Sequence, residues 1–255
     1  DLMDISVTWI PREFAFKNYA IAWNYLGFWK HFYNSIVITG LSTIGHIFVG
    51  AIIAYGFSRF DFPGRRVLFM VVIFSILIPP QVMILPQYIN YAKLGWINSS
   101  LPIIVPTFLG YGLRGGLYIF IFRQFFNGLP LSLEDAAQVD GSGFLQTFIR
   151  IVLPISRSPI LVSAVVSIVW HWNDYYEPAI YISRVDRFPL PSMLNAVLNG
   201  LRDYHLAVLN DQLDVLVTDG VIMAAMTICI VPVFAFYIFA QKGFIAGVER
   251  TGIVE

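Results

Sequence analysis

The chain contains little charge and almost no cysteine. Its one cysteine, Cys229, excludes a disulfide framework and any cysteine-based metal cluster. Charged residues form 13% of the 255 residues, against about 25% in soluble domains, and the net charge is zero. No excess of positive charge indicates a nucleic-acid partner. Because 57% of the residues are hydrophobic and the mean hydropathy is +0.70, a lipid bilayer is the expected solvent.

The sequence also lacks a phosphate-binding loop. The pattern Gly-x-x-x-x-Gly-Lys-Ser/Thr is absent, and none of the four lysines lies in a glycine-rich segment. Since the backbone N–H groups of such a loop cradle nucleotide phosphates, this chain is not expected to be an ATPase. We therefore expect that the chain is not an enzyme and that it has no catalytic residue, no metal site and no cofactor of its own.

Five stretches are long and apolar enough to cross a bilayer, which takes roughly 20 residues. Backbone groups in lipid must find partners within their own segment, so each stretch is predicted to be a helix. The fold is therefore predicted to be an all-α, polytopic membrane protein. The predicted spans cover residues 35–58, 67–91, 101–122, 154–176 and 220–240.

Basic residues in the first connection indicate how the spans are oriented. Three arginines lie within residues 59–66, which places this loop in the cytoplasm by the positive-inside rule. Residues 123–157 and the tail after Lys242 then fall inside. The first thirty residues, the region of Asn90 and residues 177–219 fall outside.

The domain boundaries follow from this topology. An odd number of spans leaves residue 1 outside, and no signal-like segment is visible there. We therefore expect a sixth helix ahead of an extracytoplasmic segment at 1–34. The transmembrane domain is predicted at 35–255, with a cytoplasmic loop at 130–154.

A polar hairpin of small residues separates the third span from the fourth. Ser132 and Asp135 have the spacing of a capping box, which favours a helix that starts near Leu133. Gly141 permits a sharp change of direction, and a second helix is predicted from about Ser142.

The residues alone leave two interpretations of this hairpin open. It is either an interfacial connection that rests on lipid headgroups or a docking knob for a cytoplasmic partner. Ala136 and Ala137 permit close backbone approach by such a partner. Its basic groups would meet the carboxylates of Glu134, Asp135 and Asp140.

The hairpin resembles the EAA loop of ABC-transporter permease subunits, whose pattern is Glu-Ala-Ala, three residues, Gly and, further on, Ile-x-Leu-Pro. The residues in register are Ala136, Ala137, Gly141, Ile151, Leu153 and Pro154. Asp135 stands where the family usually has Glu, but a carboxylate is kept, so docking is expected to survive.

Further segments resemble the carbohydrate-uptake branch of this family, in particular the subunit class of the maltose-system G-type permease. They are Asp140 before Gly141, residues 62–65, Ile78-Pro79, Leu85-Pro86, Trp172-Asn173-Asp174 and residues 243–248. The resemblance thus extends over the whole chain rather than the hairpin alone.

The resemblance implies the transmembrane domain of a type I ABC importer in a bacterial or archaeal cytoplasmic membrane, with a cytoplasmic C-terminus. The expected solute is a mono-, oligo- or polysaccharide. The expected partners are a second, homologous permease, two cytosolic ATPase subunits that bind ATP and Mg, and an extracytoplasmic solute-binding protein. The expected ATPase-coupling residues are Glu134, Asp135, Ala136, Ala137, Asp140 and Gly141.

Polar groups that are costly in lipid indicate the solute route, because they are expected to face the bundle interior or water. Arg114 and His46 are such groups. Aromatic faces stack on sugar rings and polar groups bind hydroxyls, so the cluster at 170–177 also suits a carbohydrate route. The predicted substrate-pathway residues are Pro79, Gln81, Arg114, Trp172, Asn173, Asp174 and Tyr176.

Structural roles remain open for each of these residues. Arg114 can instead form an ion pair within the bundle or extend its charged end to the membrane surface, and His46 can form an interior hydrogen bond. The cluster can belong to the aromatic belt at the outer membrane interface, and Pro79 can simply kink its helix. Two other functions also remain open. A secondary carrier or channel fits the spans but has no need of the hairpin. An ABC permease for a non-sugar solute shares the hairpin but usually lacks the carbohydrate-branch segments.

Overall fold

The computed structural model describes residues 15–112, 114–199 and 219–252. All regular secondary structure in these residues is helical, and no strand occurs among them, which confirms the predicted all-α class. Residues 1–14 of the predicted extracytoplasmic segment and residues 200–218 of the predicted outside loop lie outside the described residues.

Eleven helices are used in the description below. They are α1 Phe16–Leu26, α2 Phe28–Arg59, α3 Arg65–Leu77, α4 Pro80–Lys93, α5 Leu101–Ile104, α6 Gly115–Asn127, α7 Ser132–Val139, α8 Phe144–Ile155, α9 Arg157–Asn173, α10 Tyr176–Tyr181 and α11 Asp219–Gly252. Short 3₁₀ turns occur at Val105–Leu109, Val185–Arg187 and Leu190–Met193, a π turn lies within α8 at Phe148–Val152, and residues 194–199 are helical.

Two helices are each long and apolar enough to cross a bilayer: α2 and the Asp219–Gln241 part of α11. They correspond to the predicted spans at 35–58 and 220–240. The predicted span at 67–91 is instead a bent pair, because α3 and α4 meet at 101° where two prolines follow Ile78. The fourth predicted span, at 154–176, corresponds mainly to α9, which meets α8 at 75° near the start of that span.

The third predicted span, at 101–122, is not one continuous helix. The chain between α5 and α6 takes left-handed backbone angles at Gly110 (φ 74°), Gly112 (φ 103°) and Arg114 (φ 58°). Such residues cannot continue a right-handed helix. The prediction of a single helix here was wrong. Gly110, Gly112 and Arg114 lie in a turn that we call the cavity turn.

The loops gather at two opposite ends of the bundle. At one end, Nε of Arg59 donates to the carboxylate of Glu134, which joins the first loop to the hairpin. At the other end, the backbone N–H of Asn98 donates to the carbonyl of Tyr181, and its side chain accepts from the N–H of Ser183. This grouping agrees with the predicted sidedness, whereas the assignment of the first end to the cytoplasm stays a prediction.

The long helix α2 lies at the centre of the packing, between α6 and α9. Small residues permit close approach on the α6 side. A Cβ atom at Gly45 would collide with the hydroxyl of Thr107 and lie 3.0 Å from the ring of Phe108. A Cβ atom at Gly50 would lie 3.3 Å from Cβ of Tyr118. The segments before and after the cavity turn therefore pack directly against α2.

Gly45→Ala is expected to lower the free energy of unfolding by about 1–3 kcal/mol, because overpacking forces neighbouring side chains out of their rotamers. The melting temperature of the detergent-solubilised protein measures this loss. Gly40→Ala on the same helix is the matched control, since a Cβ atom there meets nothing within 4 Å. Equal melting temperatures for the two variants would contradict the close packing at Gly45.

Candidate functional site

The hairpin begins with helix α7, which starts at Ser132, one residue before the predicted start. The predicted capping box is not formed. Leu131 occupies the N-cap position with helix-like backbone angles, and no side chain caps the helix. Ser132 therefore already lies inside the first turn, where its hydroxyl is past the capping position.

Gly141 ends α7 and turns the chain, as predicted. Its φ of 83° is left-handed, a conformation that glycine adopts at no steric cost. The N–H of Ser142 donates to the carbonyl of Ala137 at 2.9 Å, and the N–H of Gly141 donates to that of Gln138 at 3.0 Å. These two bonds form a Schellman motif, so the turn is rigid. The next helix begins at Phe144, two residues later than predicted.

Helix α7 has one buried face and one exposed face. Glu134 and Ala137 are three residues apart, share a face and are buried against the bundle. The opposite side is exposed and combines apolar and acidic groups. We call it the docking face, and its residues are Leu133, Asp135, Ala136, Val139 and Asp140. The alanine pair therefore does not form one surface, because only Ala136 is exposed.

The carboxylate of Glu134 is bound within the chain. Its Oε1 accepts from Nε of Arg59 at 2.6 Å, and its Oε2 accepts from the hydroxyl of Tyr55 at 2.9 Å. Both oxygens are therefore already used within the chain, and the expected contact of this carboxylate with basic groups of a partner stays a prediction. A signal was present in the sequence: Tyr55 and Arg59 are four residues apart and share one face of α2.

A cavity of about 490 Å³ lies between the bend of α3 and α4, the cavity turn and α10. Five of the seven predicted pathway residues line it: Pro79, Gln81, Arg114, Asp174 and Tyr176. Glu177, from the predicted cluster at 170–177, also lines the cavity. Sequence reasoning missed further polar and aromatic lining residues, namely Gln87, Tyr91, Tyr111 and Tyr181. Residues far apart in the sequence thus meet at one wall.

Arg114 is held at the cavity wall by an aromatic ring. Its guanidinium carbon lies 4.2 Å from the ring centre of Trp170, a cation–π contact. Arg114 also takes a left-handed backbone conformation, which is uncommon for a residue with a side chain. Strained residues of this kind cluster at functional sites.

Two carboxyl groups face the same cavity from the start of α10. Oδ1 of Asp174 accepts from the backbone N–H groups of Tyr176 and Glu177, at 3.0 and 3.3 Å. Burial together with the nearby Asp174 raises the pKa of Glu177 to about 8. The raised pKa favours the protonated form of Glu177, which can donate a hydrogen bond.

The amide of Gln87 joins two tyrosines on the cavity wall. Its nitrogen donates to the hydroxyl of Tyr111, and its oxygen accepts from the hydroxyl of Tyr181 at 3.0 Å. The wall thus carries a fixed series of donors and acceptors beside aromatic rings. Such a mixture has the chemistry to bind hydroxyl-rich solutes.

Trp172 and Asn173 do not line the cavity, and their place in the solute pathway stays a prediction. Trp172 is buried in the core, where its indole N–H donates to the carbonyl of Cys229 at 3.0 Å. The amide of Asn173 donates back to the carbonyl of Val169 in the preceding turn. At 100° per residue, Trp172 lies about 200° around α9 from Trp170, which contacts Arg114, so the two tryptophans face opposite sides.

His46 lies behind the cavity turn rather than in the cavity. It is buried and stacks on Tyr118 with ring centres 4.2 Å apart, and on His171 at 5.3 Å. Its contacts within the described residues are therefore mainly with aromatic rings, and the expected interior hydrogen bond is not seen on its Nε2.

Comparison with known proteins shows the family to which the chain belongs. Residues 46–250 match the family model described as "binding-protein-dependent transport system inner membrane component". The chain belongs to this family. Membership confirms the resemblance inferred from the hairpin, and it confirms that the chain is an inner-membrane permease component.

Individual members of the family are similar over most of their length. A probable ABC transporter permease protein of Bacillus subtilis is 31% identical over 96% of this chain and 75% of its own. The arabinooligosaccharides permease of the same species is 28% identical over 95% and 80%. The diacetylchitobiose uptake permease of Streptomyces coelicolor is 27% identical over 94% and 75%.

A solved structure shows the same fold. It is that of a bacterial ABC transporter involved in the import of the acidic polysaccharide alginate, and it matches with a TM-score of 0.75 at 20% identity. The match covers 93% of this chain and 84% of that chain. The predicted fold, the transmembrane domain of a type I ABC importer, is thereby confirmed.

Proposed function

We propose that this chain is one permease subunit of an ATP-driven, binding-protein-dependent importer, and that its solute is a sugar. The observation that carries the proposal is the family match over 46–250, which includes both the hairpin and the cavity. Two similar family members are named for sugar oligomers, arabinooligosaccharides and diacetylchitobiose. The cavity suits such solutes because it combines tyrosine rings with hydrogen-bonding amide and carboxyl groups.

The docking face is the proposed contact for a cytosolic ATPase. It offers two carboxylates and an apolar centre, in which Val139 is 87% exposed. Exposed apolar groups rimmed by charge are typical of protein interfaces. Since the chain has no phosphate-binding loop, ATP and Mg are bound by two separate ATPase subunits, which contact this face. A second permease and an extracytoplasmic solute-binding protein complete the assembly, and the C-terminus lies in the cytoplasm.

The cavity favours an uncharged sugar over an acidic one. It holds one guanidinium, from Arg114, against the carboxyl groups of Asp174 and Glu177. With the carboxyl group of Glu177 protonated, the carboxylate of Asp174 still offsets this one cation, so the wall has no excess positive charge for a polyanion. The protonated group of Glu177 donates to sugar hydroxyls, and the carboxyl oxygens of Asp174 accept from them.

A phosphorylated solute is the second candidate. The sn-glycerol-3-phosphate permease of Yersinia enterocolitica is 26% identical over 96% of this chain. Arg114 has the chemistry to bind a phosphate. The carboxylate of Asp174 on the same wall weighs against this candidate, because it repels a dianion.

Purification of the tagged protein from its native membrane tests the proposal. We expect an ATPase, a second permease and a sugar-binding receptor in the complex. In liposomes, uptake of the sugar retained by that receptor is expected to need ATP and Mg. Uptake without ATP, or a purified chain with no ATPase, would favour a secondary carrier or channel, and a receptor loaded with a phosphorylated solute would favour the second candidate.

A further inference from the structure

The hairpin is fastened to the bundle by one buried ion pair, which we call the tie. It consists of Glu134 on α7 with Arg59 and Tyr55 on α2, whose bonds to the carboxylate are 2.6 and 2.9 Å long. The guanidinium of Arg59 also donates to the carbonyl of Leu129, ahead of α7, at 3.3 Å. The side chains of Arg59 and Glu134 are only 7% and 8% exposed.

Burial distinguishes the tie from an ordinary surface ion pair. Exposed pairs contribute little because water and salt screen them. In a buried pair, loss of one partner leaves an uncompensated charge, so the two groups stay together when the surrounding elements move. The nearby pair of Arg65 and Asp61 provides a contrast, since the Asp61 side chain is 96% exposed.

The helix on the other side of the tie reaches the cavity. Helix α2 has 32 residues, which at about 1.5 Å per residue makes a rod of about 48 Å. Halfway along this rod, Gly45 contacts Thr107 and His46 lies against Gly112 of the cavity turn. Arg114, at the end of that turn, is on the cavity wall. One continuous helix therefore connects the hairpin with the turn that carries Arg114.

From this geometry we infer that Glu134 is a positioning residue that couples the hairpin to α2. When an ATPase displaces α7, the tie makes α2 move with it, and α2 shifts the cavity turn against the bend of α3 and α4. Without the tie, α7 moves while α2 stays. This inference rests on the proposed function, because it needs an ATPase on the docking face. It adds that transmission runs through α2 and depends on one carboxylate.

The test uses the complete importer in liposomes and compares Glu134→Gln, Tyr55→Phe and the exchange Glu134→Arg with Arg59→Glu. We expect Glu134→Gln to lower sugar uptake per ATP hydrolysed by about tenfold, while the amount of assembled complex and its ATP hydrolysis stay within about twofold. Tyr55→Phe removes one bond and is expected to lower the ratio about threefold. The double exchange of Glu134→Arg with Arg59→Glu is expected to restore part of the lost uptake per ATP hydrolysed. Arg65→Gln, at the exposed pair, is the matched control and is expected to keep the wild-type ratio.

The ratio of uptake to hydrolysis separates coupling from a merely structural role. A wild-type ratio in Glu134→Gln and Tyr55→Phe would overturn the inference. So would a loss in which uptake, hydrolysis and assembled complex fall together in both variants. If Glu134→Gln does not assemble, the ratio in Tyr55→Phe decides. Failure of the proposed function is recognised differently, because the wild-type protein would then lack an ATPase.

Discussion

Ala136→Lys is expected to abolish sugar uptake while the permease still inserts in the membrane. Ala136 lies on the docking face, so a lysine there disturbs nothing inside the chain. In the complex, however, the ammonium group would be buried against the ATPase without a partner. Such a charge costs about 2–5 kcal/mol, which corresponds to a loss in uptake of more than about tenfold. Uptake into vesicles measures the loss of transport, and the amount of ATPase that co-purifies with the permease measures the loss of docking.

Ala136→Ser is the matched control, because it keeps a small, uncharged side chain at the same place. It is expected to transport like the wild type. Ala137→Lys would not make the same test, since Ala137 is buried against the bundle and only 5% exposed. Wild-type uptake in Ala136→Lys would mean that the docking face is not an interface.

Arg114→Glu is expected to reduce uptake by more than about tenfold without releasing the ATPase. The change removes the only guanidinium among the residues that line the cavity and places a third carboxyl group beside Asp174 and Glu177. Close carboxyl groups repel and reorganise the wall on which a sugar is held. Uptake per assembled complex, measured at saturating ATP, reports the effect on the route alone.

Arg114→Lys separates charge from shape at this position. Lysine keeps the positive charge but loses the planar group that stacks on Trp170. Uptake between that of the wild type and Arg114→Glu is expected. If all three proteins transport equally, the cavity is not on the solute route, whatever the role of the docking face.

The sequence predicted the helical elements best where their pattern was strong. Uniform apolar runs predicted α2 and the apolar part of α11, because length and hydropathy suffice for a single straight helix. The break at 110–114 was missed, although Gly110, Gly112 and the pair after Arg114 were visible. Hydropathy counts side chains and does not register that glycines permit left-handed turns.

The candidate site was predicted in part. The turn at Gly141 followed from local chemistry, because a left-handed C-cap needs only glycine. The buried tie did not, since the partners Tyr55 and Arg59 are about 80 residues from Glu134 and only packing brings them together. Likewise, aromatic composition indicated the cluster at 170–177, but the helical phase decides that Trp170 contacts Arg114 while Trp172 faces the core.

The central claim is that a separate ATPase grips the docking face, and crosslinking tests it most directly. Asp140→Cys in a Cys229→Ala background places a single thiol on that face, because Cys229 is the one native cysteine. The thiol is expected to crosslink to a nucleotide-hydrolysing subunit in native membranes, whereas Trp29→Cys, on the exposed surface of α2 at the far end, is not. An adduct at neither position, or an equal adduct at both, would contradict the account.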